Sequence, residues 1–310
     1  MAINWVDYFQ LAYTLLLFPI YSIFTIRLGY KIYYLKTPSL HNEYYPIIFY
    51  KGIIDNFTLF IQFATARIQK YNIFDSFFLR NTYLANVLFF VTSGAYFIMF
   101  QIAFLTSVNR YVAISRPTLY KRYFNFKRLH IYITIISLLG IFVGLISLIY
   151  PYTYEYFKAT NTIAPIFTNK RSAFVHSFVA IFLNLPLIII TTILNSISIY
   201  KNRYFFKKQK DKKKIEFKIL MYSCLLLFVM VAFETYYLFK NLPYIFEDFY
   251  FLEVIALKSL SWIVDSMTFG LFIFSLISSP NLRPELGICN LGRKKIHSNI
   301  TKFNSTVVRY

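Results

Sequence analysis

The stretch that decides the fold is residues 135–149, which read IISLLGIFVGLISLI. The run is apolar almost throughout and shows no alternation of polar and apolar residues. A membrane-spanning β-strand needs about 10 residues of strict alternation, whereas a spanning helix needs about 20 mainly apolar residues. Backbone groups in lipid must be hydrogen-bonded within the protein, so only helices and closed barrels cross a membrane. The stretch therefore predicts a transmembrane α-helix.

Six further segments of the chain have the same length and apolar character. The seven predicted spans are residues 8–26, 46–66, 84–108, 131–151, 174–199, 219–239 and 253–275. The first seven residues carry no positive charge and no small-residue cleavage site follows the first run, so we expect that run to be retained as a helix. The sequence predicts an all-α, seven-transmembrane helix bundle over residues 1–280 and a basic tail over residues 281–310.

The composition supports a protein in lipid and gives little support to an enzyme. Hydrophobic residues make up 57% of the chain, charged residues 15%, and the mean hydropathy is +0.51. Soluble domains carry about 25% charged residues. The chain has only four histidines and two cysteines, and it contains no phosphate-binding loop, no Gly-rich dinucleotide turn and no His-Glu-x-x-His motif. We expect no enzymatic activity, no metal and no cofactor.

The distribution of positive charge predicts the orientation of the bundle. With seven spans, 24 of the 33 Lys and Arg residues fall on one face, in segments 27–36, 110–128, 201–218 and 283–309. Cytoplasmic loops carry the excess of Lys and Arg in membrane proteins. The N-terminus is therefore expected outside and the tail in the cytoplasm. The same charge is expected to attract anionic lipids of the inner leaflet, and the topology leaves no role for nucleic acid.

The most specific local motif lies where the third predicted span ends. It reads Asn109-Arg110-Tyr111, and Pro117 follows Arg110 at a distance of seven residues. An arginine at the end of a spanning helix lies where charge is costly but water is near. Two interpretations are open: the guanidinium holds polar groups of a neighbouring helix in one state and releases them in another, or it extends to the headgroups.

This motif resembles the Asp-Arg-Tyr box and following proline of rhodopsin-like G-protein-coupled receptors. The asparagine version is similar to that of the nematode serpentine chemoreceptors, specifically the gamma class and its near relatives, and the segment 278–283 after the last span agrees. The resemblance implies a chemosensory receptor in the plasma membrane that binds an extracellular small molecule or peptide. It also implies a heterotrimeric G protein as the cytoplasmic partner, contacted through Asn109, Arg110, Tyr111 and Pro117.

The chain departs from the rhodopsin-like pattern in three places. Asn109 replaces the usual acid, no Asn-Pro-x-x-Tyr motif ends the last span, and neither Cys224 nor Cys289 is positioned to join span three to the second outer loop. We therefore expect that loop, residues 152–173, to be looser than in receptors that have the disulfide. Cys289 lies in the basic tail, where it is either palmitoylated or a free thiol.

Ionisable residues inside the predicted spans are candidate functional residues, and those singled out are Asp55, Glu234, Lys258 and Asp265. The resemblance implies a sodium-binding and switching role for Asp55, although Lys51, one turn earlier, offers a simple ion pair instead. Asp265 is expected to face the bundle. Glu234 and Lys258 are expected either to pair across spans six and seven over a ligand cavity or to extend to the headgroups.

Aromatic residues near the outer ends of the last two spans have two interpretations. Tyr236, Tyr237 and Trp262 either line the ligand cavity or belong to the interfacial aromatic belt. Pro186, inside the fifth predicted span, predicts a kink because it removes a helix hydrogen bond.

Two other classes of membrane protein are the alternatives. A transporter or ligand-gated channel is predicted by inverted repeats and midplane ion sites, and no convincing repeat is found in the sequence. A seven-span channel with an intracellular N-terminus would need the opposite charge distribution.

Overall fold

The computed structural model describes residues 5–40, 43–71, 73–157, 162–205, 210–245, 250–279 and Leu282. Eleven α-helices and two strands are found in these ranges. The helices are α1 Trp5–Gly29, α2 Tyr44–Gln62, α3 Asp75–Arg80, α4 Tyr83–Ser115, α5 Pro117–Tyr123, α6 Phe126–Ser147, α7 Lys170–Phe178, α8 Leu185–Phe205, α9 Lys210–Ile245, α10 Tyr250–Asp265 and α11 Leu271–Ser278. The strands are β1 Tyr152–Phe157 and β2 Thr162–Phe167.

Seven of the helical segments are long and apolar enough to cross a membrane, which confirms the predicted fold class. These spans are Trp5–Tyr34, Tyr44–Arg67, Tyr83–Ser115, Phe126–Ser147, Arg171–Asn202, Leu220–Pro243 and Phe251–Ser278. Most extend past the apolar runs, because helical hydrogen bonding continues into the polar residues on either side. Span four instead ends at Ser147, four residues short of Pro151 and earlier than predicted, since a residue before proline disfavours the helical conformation.

Four spans contain a wider π-helical turn. These turns are Tyr30–Tyr34, Phe63–Arg67, Val179–Asn184 and Ser266–Gly270. The turn in span five ends two residues before Pro186, at the place where the kink was predicted. Because proline lacks the N–H that would bond the preceding turn, the helix accommodates it by widening there.

Span three lies at the centre of the bundle. Its helix α4 packs against helices of spans two, four, five and six, and most of its residues are buried. Its contact with span four is unusually close at Gly94, where an added Cβ atom would lie 2.7 Å from the carbonyl oxygen of Gly140. Small residues allow helices to approach in this way in membranes. Span four presents Leu138, Phe142 and Leu145 outward, as a lipid-facing helix does.

The loop between spans four and five forms an antiparallel hairpin, which corrects the expectation of a looser loop. Strand β1 pairs with β2 in the register Tyr152 with Phe167 and Phe157 with Thr162. Tyr152 is buried and stacks on Phe89 of span three, with the ring centroids 3.9 Å apart. Aromatic packing thus anchors the hairpin without a disulfide.

A hydrogen bond also joins the hairpin to span two. The Tyr154 hydroxyl donates to the carbonyl oxygen of Thr65 over 2.8 Å. Burial raises the pKa of Tyr154 to about 12, so the hydroxyl keeps its proton at neutral pH and remains a donor. The hairpin is therefore fixed to spans two and three at one end of the bundle.

Candidate functional site

The candidate residues lie at two ends of the bundle, which are called the hairpin end and the Arg110 end. The hairpin end carries β1 and β2, and the Arg110 end carries the junction of α4 and α5. Arg110 is only 3% exposed. Its Nη2 donates to Asn109 Oδ1 over 2.5 Å, and its guanidinium lies over the Tyr44 ring, 4.9 Å from the centroid. The arginine is thus buried inside the bundle, in contact with residues of spans two and three.

The loop after span three supports this arrangement. Pro117 is the first residue of the short helix α5, a position where the missing N–H costs nothing. The helix carries Tyr120, whose hydroxyl accepts a hydrogen bond of 3.0 Å from Asn109 Nδ2. Tyr111 faces span five, with Lys201 Nζ 5.5 Å from its ring centroid. Asn109 thus contacts α5, which begins at Pro117, while Arg110 contacts span two and Tyr111 contacts span five.

A polar cluster that the sequence reasoning missed lies one turn inward from this motif. Ser107 Oγ and Ser223 Oγ are 2.8 Å apart, and the Ser223 hydroxyl donates to Asn195 Oδ1 over 2.8 Å. All three residues are buried, and together they join spans three, five and six. Small polar residues inside apolar spans are the signal for such contacts.

The carboxylate of Asp55 lies at the centre of a polar network among spans one, two and seven. Lys51 Nζ forms an ion pair with Asp55 Oδ2 and also donates to the carbonyl oxygen of Met267 over 3.0 Å. The Tyr21 hydroxyl donates to the same carboxylate over 2.6 Å. The simple ion pair is therefore present, and the lysine supplies the positive charge that the resemblance had assigned to sodium.

Asp265 faces the bundle, as expected. Its partner is Arg67, which the bounds of the second predicted span place in an outer loop. Arg67 Nη2 lies 2.5 Å from Asp265 Oδ1, and the Tyr13 hydroxyl donates to Asp265 Oδ2. Arg67 Nη1 also lies 3.4 Å from Thr14 Oγ1. Arg67 is buried because a carboxylate inside the bundle needs a paired charge. These contacts join spans one, two and seven near the hairpin end.

The cavity at the hairpin end lies among spans three, four, five and six. About 350 Å³ of space between its walls is free of atoms, and this figure counts open solvent at its mouth. Its lining residues are Ser93, Tyr96, Phe97, Val143, Ile146, Ser147, Val175, His176, Val179, Asn184 and Tyr237. An apolar cavity with a few converging polar groups is the usual form of a small-molecule site.

The four residues predicted for a ligand cavity occupy different places. Tyr237 lines the cavity, and Glu234 is buried beside it, where it is hydrogen-bonded to Asn184. Lys258 and Trp262 lie on the exposed face of α10, and Trp262 is 45% exposed. The structure does not pair Lys258 with Glu234 or bring Trp262 to the cavity. An outward position is consistent with headgroup contact for Lys258 and with the aromatic belt for Trp262.

A different lysine is buried at the hairpin end. The Nζ atom of Lys240 lies 4.7 Å from the ring centroids of both Phe89 and Phe167. The charge count had placed Lys240 in an outer loop. Beside it, the His176 ring is 2.8 Å from the Tyr152 hydroxyl through Nε2. The hairpin thus contacts the cavity wall through Tyr152, and it contacts the buried lysine through Phe167.

Some predictions concern residues outside the described part of the chain, and one concerns metal binding. Cys289 and nearly all of the tail over residues 281–310 lie outside the ranges given above. Within those ranges, no group of three or more His, Cys, Asp or Glu residues is placed to hold a metal ion.

Comparison with known proteins identifies the family. Residues 10–263 match the family model described as "Serpentine type 7TM GPCR chemoreceptor Srv". No curated protein matches the chain. The predicted relation to nematode serpentine chemoreceptors is confirmed, while the gamma class is not, because the matching model is Srv. The match covers most of the chain, so the protein belongs to the Srv family of serpentine seven-transmembrane chemoreceptors, a receptor family and not an enzyme family.

Proposed function

We propose that the chain is a chemosensory receptor of the plasma membrane that signals to a heterotrimeric G protein. An extracellular small molecule or peptide binds at the hairpin end, and the G protein binds at the Arg110 end. The observation that carries the proposal is the burial of Arg110 at one end of the bundle, against Asn109 and Tyr44. A charge at the end of a spanning helix is costly to bury and lies near water, so a second set of partners can compete for it.

This position makes Arg110 suitable for exchange between two sets of partners. In the resting state the guanidinium lies against Asn109 and Tyr44. A G protein that presents stronger acceptors draws it out of the bundle, and the same interaction stabilises the state in which the end is open. A ligand acts by favouring that state, since it shifts the equilibrium by its difference in affinity for the two states.

The charge distribution supports the orientation that this proposal needs. Arg110 belongs to the more basic face in the count of Lys and Arg along the predicted topology, so the positive-inside rule supports a cytoplasmic position for the Arg110 end. An epitope after Tyr310 is expected to stay inaccessible to antibody on intact cells and to become accessible after permeabilisation. Staining of the tail on intact cells would refute the orientation and the receptor function with it.

The signalling function is tested with Arg110→Ala. We expect nucleotide exchange by a panel of purified heterotrimeric G proteins to be stimulated by wild-type receptor in lipid nanodiscs, and to fall about tenfold with the variant. The estimate takes about 1.4 kcal/mol for the lost contacts of the guanidinium with its partner. Arg116→Ala is the matched control, because Arg116 is exposed six residues further along the chain. Equal exchange by the Arg110→Ala and wild-type receptors would refute the proposed switch.

The alternative of a transporter or ligand-gated channel predicts a different readout. Proteoliposomes that contain the purified chain would then carry a solute flux or an ion current without any G protein. We expect neither, because the chain belongs to a receptor family.

A further inference from the structure

Three polar groups near the cavity at the hairpin end have no hydrogen-bond donor within the described part of the chain. They are Ser93 Oγ, Asn184 Oδ1 and Glu234 Oε2. Ser93 and Asn184 line the cavity, and the Asn184 side chain is hydrogen-bonded to Glu234 across spans five and six. Buried acceptors are normally satisfied, so a group of three without donors points to a partner that the chain does not supply.

Glu234 differs from the other buried carboxylates of the bundle. Asp55 is paired with Lys51, and Asp265 is paired with Arg67. Glu234 is just as deeply buried, at 6% exposure, but no cation of the described residues forms an ion pair with it. A buried carboxylate without a cation is costly. Asp55 and Asp265 thus each pair with a cationic side chain of the protein. Within the described residues, Glu234 beside the cavity has no such partner.

The nearby lysines do not fill this role. The Nζ atom of Lys240 lies against the rings of Phe89 and Phe167. The carboxylate that interacts electrostatically with Lys240 is that of Glu253. Lys258 lies on the exposed face of span seven. Within the described residues, neither lysine is placed to balance a charge on Glu234, which leaves that place to a cation that enters the cavity.

The walls of the cavity suit an organic cation. The rings of Tyr96 and Tyr237 line it and lie 6.4 Å apart in an edge-to-face arrangement, and Phe97 adds a third ring. Aromatic faces attract ammonium groups, most strongly where water is excluded. They also give an apolar surface on which the body of a small ligand can pack.

We propose that the ligand taken by this cavity is a small protonated amine, whose ammonium group donates to Glu234, Asn184 and Ser93 while its apolar body packs on the aromatic walls. This inference rests on the proposed receptor function, which it makes more specific. A carboxylic acid would add a second negative charge beside Glu234. A neutral alcohol would supply one donor and leave the charge of Glu234 unbalanced, so both are expected to bind more weakly.

The test compares matched ligands with receptor variants. Purified receptor in nanodiscs is titrated with a panel of small primary amines, and with alcohols and carboxylic acids of the same carbon skeletons. Binding is followed by the rise in the temperature of thermal unfolding, which needs no G protein. We expect at least one amine to bind with the matched alcohol and acid at least tenfold weaker. Glu234→Gln is expected to lower amine affinity by roughly 10- to 100-fold, as for loss of a charged hydrogen bond.

Two controls separate a ligand contact from a structural role. Glu155→Gln changes an exposed carboxylate of the hairpin and is expected to leave amine affinity unchanged. Without ligand, Glu234→Gln is expected to unfold at the same temperature as the wild type or a higher one, because it removes an unpaired buried charge. Asn184→Leu removes a second acceptor at similar volume and is expected to weaken amine binding about tenfold.

The possible outcomes distinguish this inference from the proposed function. Selective binding of an acid or alcohol, binding of no amine, or undiminished amine affinity in Glu234→Gln would overturn the amine proposal. If the receptor stimulates nucleotide exchange in response to an acid or alcohol, the receptor function stands and the amine inference fails. If an amine binds through Glu234 but no G protein responds, the inference stands and the signalling function fails.

Discussion

The Lys51→Met variant tests whether the Lys51 ammonium group takes the place of a bound cation beside Asp55. Both residues are almost fully buried, with 3% of Lys51 and 0% of Asp55 exposed. In Lys51→Met, the carboxylate keeps only the 2.6 Å hydrogen bond from the Tyr21 hydroxyl. A buried charge left without its partner costs about 3–5 kcal/mol. We expect the temperature of thermal unfolding in detergent to fall by about 10 °C.

The double variant Lys51→Met/Asp55→Asn separates the charge from the packing. It removes both charges and leaves the amide oxygen as an acceptor for Tyr21, so its stability is expected to return to within about 1 kcal/mol of the wild type. Lys258→Met is the control, because Lys258 is an exposed lysine of another span. Sodium chloride, compared with choline chloride at equal ionic strength, should stabilise Lys51→Met and leave the wild type unchanged. The reasoning is refuted if Lys51→Met is as stable as the wild type, or if the double variant is no more stable than the single one.

Two further predictions concern the Arg110 end and the contact between spans three and four. Asn109→Asp replaces the amide oxygen that accepts from Arg110 with a carboxylate oxygen and should lower basal nucleotide exchange about fivefold, since a charged hydrogen bond is about 1 kcal/mol stronger than a neutral one; unchanged or higher exchange would contradict this. Gly94→Ala puts a Cβ atom 2.7 Å from the Gly140 carbonyl oxygen and should cost about 1–3 kcal/mol in thermal unfolding. Gly270→Ala is its control, because the nearest atoms there lie 3.9 Å away, and equal stability of the two variants would contradict the close-contact argument.

The seven spans could be predicted from the sequence because the thickness of a bilayer sets the length of an apolar run. The inward-facing positions were harder to predict. In a span such as Phe126–Ser147 nearly every position is apolar, so periodicity does not distinguish the lipid face from the protein face. Trp262 was assigned to the cavity from its residue type alone, whereas its direction depends on how span seven packs on its neighbours.

Pairings between distant spans could not be predicted for a similar reason. Asp265 had to face the bundle because a charge in lipid is costly, but Arg67 is 198 residues away along the chain. Its location at the end of an apolar run made it look like a loop residue. The hairpin did have a detectable signal, since Tyr152, Tyr154 and Tyr156 alternate with more polar residues in the way that a half-buried strand requires. The expectation of a looser loop rested on the missing disulfide and not on that pattern.

The two ends of the proposed receptor are connected by one straight helix and by the two spans that flank it. Helix α4 runs from Ser93 at the cavity to Arg110, about 26 Å along its axis, with neither a π turn nor a proline within it. Span five, in contrast, has its wide turn at the cavity, and this turn ends at Asn184.

A ligand that draws Asn184 and Glu234 together acts on spans five and six, the same two spans that Asn195 and Ser223 join to Ser107 near Arg110. In this arrangement span three serves as the fixed reference, because its neighbours contact it closely along its length. The movement that a ligand causes is therefore expected in spans five and six, and Arg110 responds when the polar cluster beside it changes partners.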